Sequence, residues 1–158
     1  MKADARLTAL AETVRKLLDD PGASGRPAKI VLFATLPSTA DRLAAFLRPK
    51  LGPAVERHSE RDAAWQRFLH DPACRVLVCD RQAEDGLNLQ GVRMILLHYD
   101  LPFAPNRIEQ RMGRLDRYGV GQPVRSFALG FRGGILEGAW ADCLDTGFGV
   151  FEQSIASL

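Results

Sequence analysis

KIVLFAT, residues Lys29–Thr35, is apolar at every position between its two ends. A continuous apolar run this short suits a strand buried on both faces of a parallel sheet, because a half-exposed strand would alternate apolar with polar. Upstream, Leu7, Leu10, Ala11, Val14, Leu17 and Leu18 recur at helical spacing and form one stripe, and the segment PGASGRP from Pro21 to Pro27 is a turn-rich linker. Downstream, Ser38 stands three residues before Asp41. That capping-box spacing predicts a helix opening at Ser38 and burying Ala40, Leu43, Ala44 and Leu47. A short strand through Ala54–Arg57 follows. Ser59 and Asp62 repeat the capping spacing ahead of a third helix with Trp65, Phe68 and Leu69 on its apolar face.

The same strand signal returns in RVLVCD (Arg75–Asp80), VRMILLHYD (Val92–Asp100) and VRSFALG (Val124–Gly130). Between them lie a polar loop, RQAEDGLNLQG (Arg81–Gly91), and a helix from about Pro105 to Tyr118, with Pro105 suited to its first turn. This alternation predicts an α/β fold: an open, mainly parallel sheet with helices on both faces. Beyond Gly130 the periodicity weakens, a helix is read from Ile135 to Leu144, and the tail is expected to pack on the sheet.

The chain has 158 residues, 46% hydrophobic and 25% charged, with a net charge of +2, the make-up of one globular domain. No apolar run approaches the ~20 residues that span a bilayer. Three cysteines without close-pair spacing suit a reduced, cytoplasmic protein. Residues 102–132 hold six basic and two acidic groups, whereas residues 133–158 hold four acidic and no basic ones. The basic block suits a polyanion, or simply a solvated helix face.

In open α/β sheets ligands bind at the carboxyl ends of the strands. Here those ends lead into PSTADR, the Asp80–Gly91 loop and DLPFAPN. The helix after the last of these carries an apolar stripe of Ile108, Met112 and Leu115. Gln110, Arg114 and Arg117 lie roughly opposite, and Arg107 and Arg111 to one side. Periodicity alone leaves open an ordinary amphipathic helix with a wet, basic face.

The order of residues is more specific. GLNLQ (Gly86–Gln90), HYDLPFAPNRIEQRMGRLDR (His98–Arg117) and Q-x-x-G-R-x-x-R at Gln110, Gly113, Arg114 and Arg117 resemble motifs V and VI of superfamily 2 helicases and translocases. The wording is that of the Swi/Snf-like branch, and is most like the bacterial RNA-polymerase-recycling ATPase and related phage-defence helicases. The resemblance implies a RecA-like fold, with residues 1–130 as the second RecA-like lobe including its leading helix, and residues 131–158 as a C-terminal extension.

In that family ATP with Mg²⁺ binds between two lobes and is held mainly by the first. The resemblance implies Arg117 as arginine finger, Arg114 as a second phosphate contact and Gln110 as the group orienting them. The arginines suit the chemistry because phosphoryl transfer spreads negative charge that a planar guanidinium stabilises bidentately. Asp85, Gly86 and Asn88 would sense the nucleotide, with Gly86 expected at a positive φ or a close backbone approach. Thr35, Ser38 and Thr39 would meet nucleic-acid phosphates at a helix N-terminus, although Ser38 serves equally as a plain cap. Cys79 and Asp80 depart from the Ser/Thr that often opens motif V, and Gln122 falls out of register with the family's trailing Gln.

No G-x-x-x-x-G-K-[S/T] phosphate loop or Walker B Asp-Glu pair occurs in these residues. The resemblance implies as partners a first RecA-like lobe of the same full-length protein, duplex DNA and further protein subunits, with no membrane, and without that first lobe this chain is expected to be inactive alone. An RNA helicase lobe and a non-catalytic docking module are the alternatives. His70, Cys74 and Cys79 fit no zinc spacing, so no metal is expected.

Overall fold

The computed structural model describes residues 2–20, 27–59, 63–89, 94–115, 124–129 and 135–142. Strands β1 (Lys29–Phe33), β2 (Val55–Arg57), β3 (Val76–Cys79), β4 (Met94–His98) and β5 (Arg125–Ala128) form one sheet in the order β2-β3-β1-β4-β5. All four pairings are parallel, and β1 is central, with Ile30 opposite Val76 on one side and Ile95 on the other. Helices α1 (Lys2–Asp19), α2 (Pro37–Leu51), α3 (Ala64–His70), α4 (Ala83–Gly86), α5 (Pro105–Leu115) and α6 (Ile135–Asp142), with a 3₁₀ turn at Gly52–Ala54, complete the described elements.

The continuous apolar run explains the two-sided layering. Ile30 and Leu32 point to one face and pack with Leu10 and Val14 of α1 and Leu43 and Leu47 of α2. Val31 and Phe33 point to the other and pack with Phe68 of α3, Ala83 of α4 and Leu115 of α5. All four β1 side chains are fully buried, each contributing roughly 1.5–3 kcal/mol. The open parallel sheet with helices on both faces, expected from the strand pattern, is the one that forms.

Helix starts differ from the capping reading. Helix α2 begins at Pro37 with Leu36 at the N-cap and no side-chain cap bond. Ser38 is therefore the second helical residue, too far into the turn to be the cap. Pro37 needs no cap of its own, having a preset φ and no N–H, and Asp41 is engaged by Arg57 Nε at 2.9 Å. Helix α3 begins at Ala64 with Ala63 as its N-cap, so Ser59 does not open it; Asp62 lies outside the described residues. At the other end of α2, Gly52 takes φ 61° and its N–H closes on the Arg48 carbonyl.

One further element was not legible locally. The loop read from Arg81 to Gly91 contains the one-turn helix α4. The helix expected from Ile135 does form, over Ile135–Asp142; its Trp140 packs against Ile108 of α5, as do Leu101 and Met112, and donates Nε1–H to the Pro102 carbonyl at 3.1 Å.

Candidate functional site

The chain leaves β1, β3 and β4 at one edge of the sheet, and Thr35, Ser38, Thr39, Asp85, Gly86 and Asn88 lie on the segments that follow β1 and β3. After β1, Thr35 meets Asp100: Thr35 N is 2.7 Å and Thr35 Oγ1 is 2.6 Å from Asp100 Oδ1. Both donors of Thr35 are thus committed to a carboxylate. The next strand-end residue, Tyr99, donates its N–H to the Phe33 carbonyl at 2.9 Å, and Arg6 of α1 stacks on its ring at 4.5 Å. Ser38 is exposed and Thr39 half-buried in the first turn of α2, where the intrahelical ladder starts only at Ala40 N–H to Leu36 O. Their N–H groups belong to the unsatisfied start of the helix.

After β3, the Asp80 that departs from the family pattern has a structural occupation. It is buried, accepts Arg57 Nη2 at 2.5 Å on one oxygen, and accepts Gln82 N–H at 2.8 Å on the other. Burial works against the Arg57 charge, but the bonds to Asp80 and Asp41 outweigh it and raise its pKa. Burial also pushes the Cys74 thiol up to about 11 and the Cys79 thiol higher still, which leaves both as inert core groups at neutral pH.

The densest polar cluster joins α4 to α5. Glu84 is buried; its Oε1 accepts Arg111 Nε at 2.7 Å, its Oε2 accepts Arg107 Nε and Nη2 at 2.8 Å, and its backbone carbonyl accepts Arg114 Nε at 2.6 Å. Arg111 is 0% exposed and its guanidinium lies 4.9 Å from the Phe33 ring centroid. Its Nη1 is 3.1 Å from His98 Nδ1, while His98 Nε2 is 3.2 Å from Ser126 Oγ. Arginine offers only donors, so His98 Nδ1 accepts and the ring carries its proton on Nε2, donating to Ser126. Burial, together with the Arg111 charge, holds the His98 pKa well below the ordinary histidine value. Burial also lowers Arg111, and its pairing with Glu84 opposes this.

Arg111 is thus not on a wet face. At 100° per residue it falls 60° from Ile108, inside the apolar stripe, and that angle was the signal that would have found it. Glu84 carried no local signal, because its partners lie 23 to 30 residues away.

Arg114 is half-buried; with Nε held by Glu84, its two terminal amino groups have no hydrogen-bond partner among the described residues. Gln110 is exposed and makes no bond to Arg114 among the described residues; Arg114 Nε bonds the Glu84 carbonyl instead. Asp85, Gly86 and Asn88 are exposed at the end of α4 and just beyond it. Gly86 has no positive φ, and a Cβ on it would meet nothing within 4 Å, contrary to the expected glycine turn. Its α4 position explains this, since a helical φ is open to any residue. Arg117, Gln90 and Gln122 lie outside the described residues.

This architecture, a parallel sheet with an arginine-bearing helix at its carboxyl edge, defines a class of RecA-like domains. It is shared by the C-terminal part of the Fun30 ATPase domain, at TM-score 0.69 and 18% identity over 96% of this chain and 46% of that one. Dbp5 of S. cerevisiae, bound to RNA and ADP BeF3, matches at TM-score 0.71 and 20% identity over 96% of this chain and 38% of that one. The chain belongs to the helicase conserved C-terminal domain family, which matches residues 9–119. RNA polymerase-associated protein RapA of Vibrio parahaemolyticus is 32% identical over 136 residues, 82% of this chain and 14% of that protein. The Vibrio campbellii RapA is 34% identical over 123 residues, 73% of this chain and 12% of that protein. The chain therefore spans a small part of these relatives' length and corresponds to the C-terminal lobe of a Swi/Snf-like superfamily 2 helicase or translocase.

Proposed function

We propose that this lobe, residues 1–130 with 131–158 as an extension, is the second motor lobe of an ATP-dependent nucleic-acid translocase, acting on duplex DNA. The observation that carries the reading is Arg114: its Nε is anchored on a backbone carbonyl and its terminal fork has no partner among the described residues, at the strand-end edge where α/β sheets take ligands. The family match over residues 9–119 supports the same assignment.

The residues fit a nucleotide held mainly by a first lobe with Mg²⁺, since a preoriented guanidinium fork matches phosphate oxygens in two parallel hydrogen bonds. When bound there, ATP supplies the phosphoanhydride whose hydrolysis drives the cycle. This chain's part is electrostatic: Arg114, and Arg117 three residues further along the sequence, neutralise charge that develops on phosphate oxygens, and the anchored Nε of Arg114 limits the reorganisation needed to do so. Asp85, Gly86 and Asn88, on the segment anchored to α5, relay the state of the site. Ser38 and Thr39 offer backbone and hydroxyl donors to nucleic-acid phosphates, contacts that read no sequence. Thr35 joins them only after Asp100 releases it. RNA polymerase is a partner to test, because the RapA relatives are described as RNA polymerase-associated.

In the polypeptide carrying both lobes, Arg114→Ala and Arg117→Ala are each expected to lower ATP turnover by about 10³-fold or more, with nucleotide binding retained. Unchanged turnover in both overturns the reading. Stimulation of turnover by duplex DNA against RNA separates a DNA translocase from an RNA helicase, and absence of any nucleotide effect marks a docking module.

A further inference from the structure

We propose that Glu84 is the positioning residue of this site, setting the place of Arg114 by gathering three arginines of α5 onto one residue of α4. The proposal rests on the reading above that Arg114 faces the nucleotide. Arg107, Arg111 and Arg114 lie along one side of α5, and Glu84 engages all three, two through its carboxylate and one through its carbonyl. A return bond, Leu89 N–H to the Arg114 carbonyl at 3.1 Å, fastens the segment beyond α4 to the same helix.

One helical turn is not stable by itself, so the position of α4 is set by what it is tied to. Ala83 and Leu87 pack it into the core beside Val31 and Phe33, and its side-chain polar ties run to α5. The carboxylate also has a reason to stay put: Arg111 is fully buried, and releasing Glu84 would leave its charge uncompensated inside the fold. Glu84 thereby fixes where its own carbonyl stands, and that carbonyl fixes the plane of the Arg114 guanidinium. The segment with Asp85, Gly86 and Asn88 and the Arg114 fork then move as one body.

A purely structural ion pair would affect folding alone, whereas a positioning residue also changes how Arg114 is held. Two readouts separate these. The first is hydrogen exchange of the Arg114 Nε–H, followed by ¹⁵N NMR on this chain. The second is the split between kcat and the KM for ATP in the two-lobe polypeptide. Glu84→Gln keeps the side chain's size but turns an amide donor toward an arginine. It is expected to speed Arg114 Nε–H exchange and to lower kcat about 100-fold with KM little changed, and to add nothing further in an Arg114→Ala background.

Should Glu84→Gln not fold, Glu84→Gln combined with Arg111→Leu removes the buried charges together and decides the same question. Protected Arg114 exchange and normal kcat in a folded variant overturn the proposal. Faster Arg114 exchange while Arg114→Ala leaves turnover intact upholds the positioning role and overturns the nucleotide reading instead.

Discussion

Asp100 sets a single carboxylate oxygen against both donors of Thr35, 2.7 Å from its N and 2.6 Å from its Oγ1. If Thr35 meets nucleic-acid phosphate as proposed, the Asp100 carboxylate holds the position a phosphate oxygen would take, and its charge opposes an incoming anion. Asp100→Ala is therefore expected to tighten duplex DNA binding at low salt, the gain shrinking as salt rises. Thr35→Val in the native background is expected to leave affinity unchanged and to lower stability by about 1 kcal/mol. Anisotropy titrations across a salt series, with urea melts, check both; weaker binding by Thr35→Val would show that Thr35 already contacts the nucleic acid.

Glycines 52 and 86 are expected to respond oppositely to a methyl group. Gly52 sits at φ 61°, so Gly52→Ala is strained although nothing lies within 4 Å of its Cβ, and a loss of about 1–3 kcal/mol follows. Gly86→Ala has room and no positive φ, so stability is expected to hold or rise by up to about 1 kcal/mol. If its turnover nevertheless falls, a ligand rather than the fold requires the glycine.

His98 makes stability depend on pH with a definite sign. Its folded pKa lies well below 6.5 because the ring is buried and faces Arg111. As pH falls below about 6.5, the unfolded chain takes up a proton that the folded chain refuses, and stability is lost at up to ~1.4 kcal/mol per pH unit. The contribution is fully present above that range. Urea unfolding between about pH 7.5 and 5 should show this slope, and His98→Gln, which keeps an acceptor for Arg111 and a donor for Ser126, should flatten it.

Lys29 closes the carboxyl end of α3. Its Nζ donates to the Phe68 carbonyl and, at 2.9 Å, to the Asp71 carbonyl, and it lies 5.3 Å from the Phe68 ring centroid. Burial lowers its pKa, but these carbonyls and the helix dipole favour the cation. Lys29→Met is expected to lower stability by about 2 kcal/mol, because it leaves last-turn carbonyls unpaired. Faster amide exchange confined to α3 would locate the effect.

The strands and helix faces were legible because burial pattern is a local property. Val76–Cys79 and Met94–His98 had to be strands covered on both sides, and Ala40, Leu43, Ala44 and Leu47 had to face inward. The family was legible because residue order within Gly86–Gln90 and His98–Arg117 survives without coordinates. The helix starts at Ser38 and Ser59 were misread for the converse reason: a capping signature yields when Pro37 can begin the turn and Asp41 has a better partner in Arg57.

By itself, then, the sequence determined the layers, the strand signals and the helix that carries Arg114. Tertiary structure decided which polar groups are spoken for. Glu84 meets Arg111 across 27 residues, Asp100 meets Thr35 across 65, and Arg6 reaches Tyr99 across 93. Hydrophobic periodicity records only whether a position faces in or out. The partner of a buried charge depends on which distant strand ends and helices the fold packs together, and that is decided by the tertiary arrangement of whole elements.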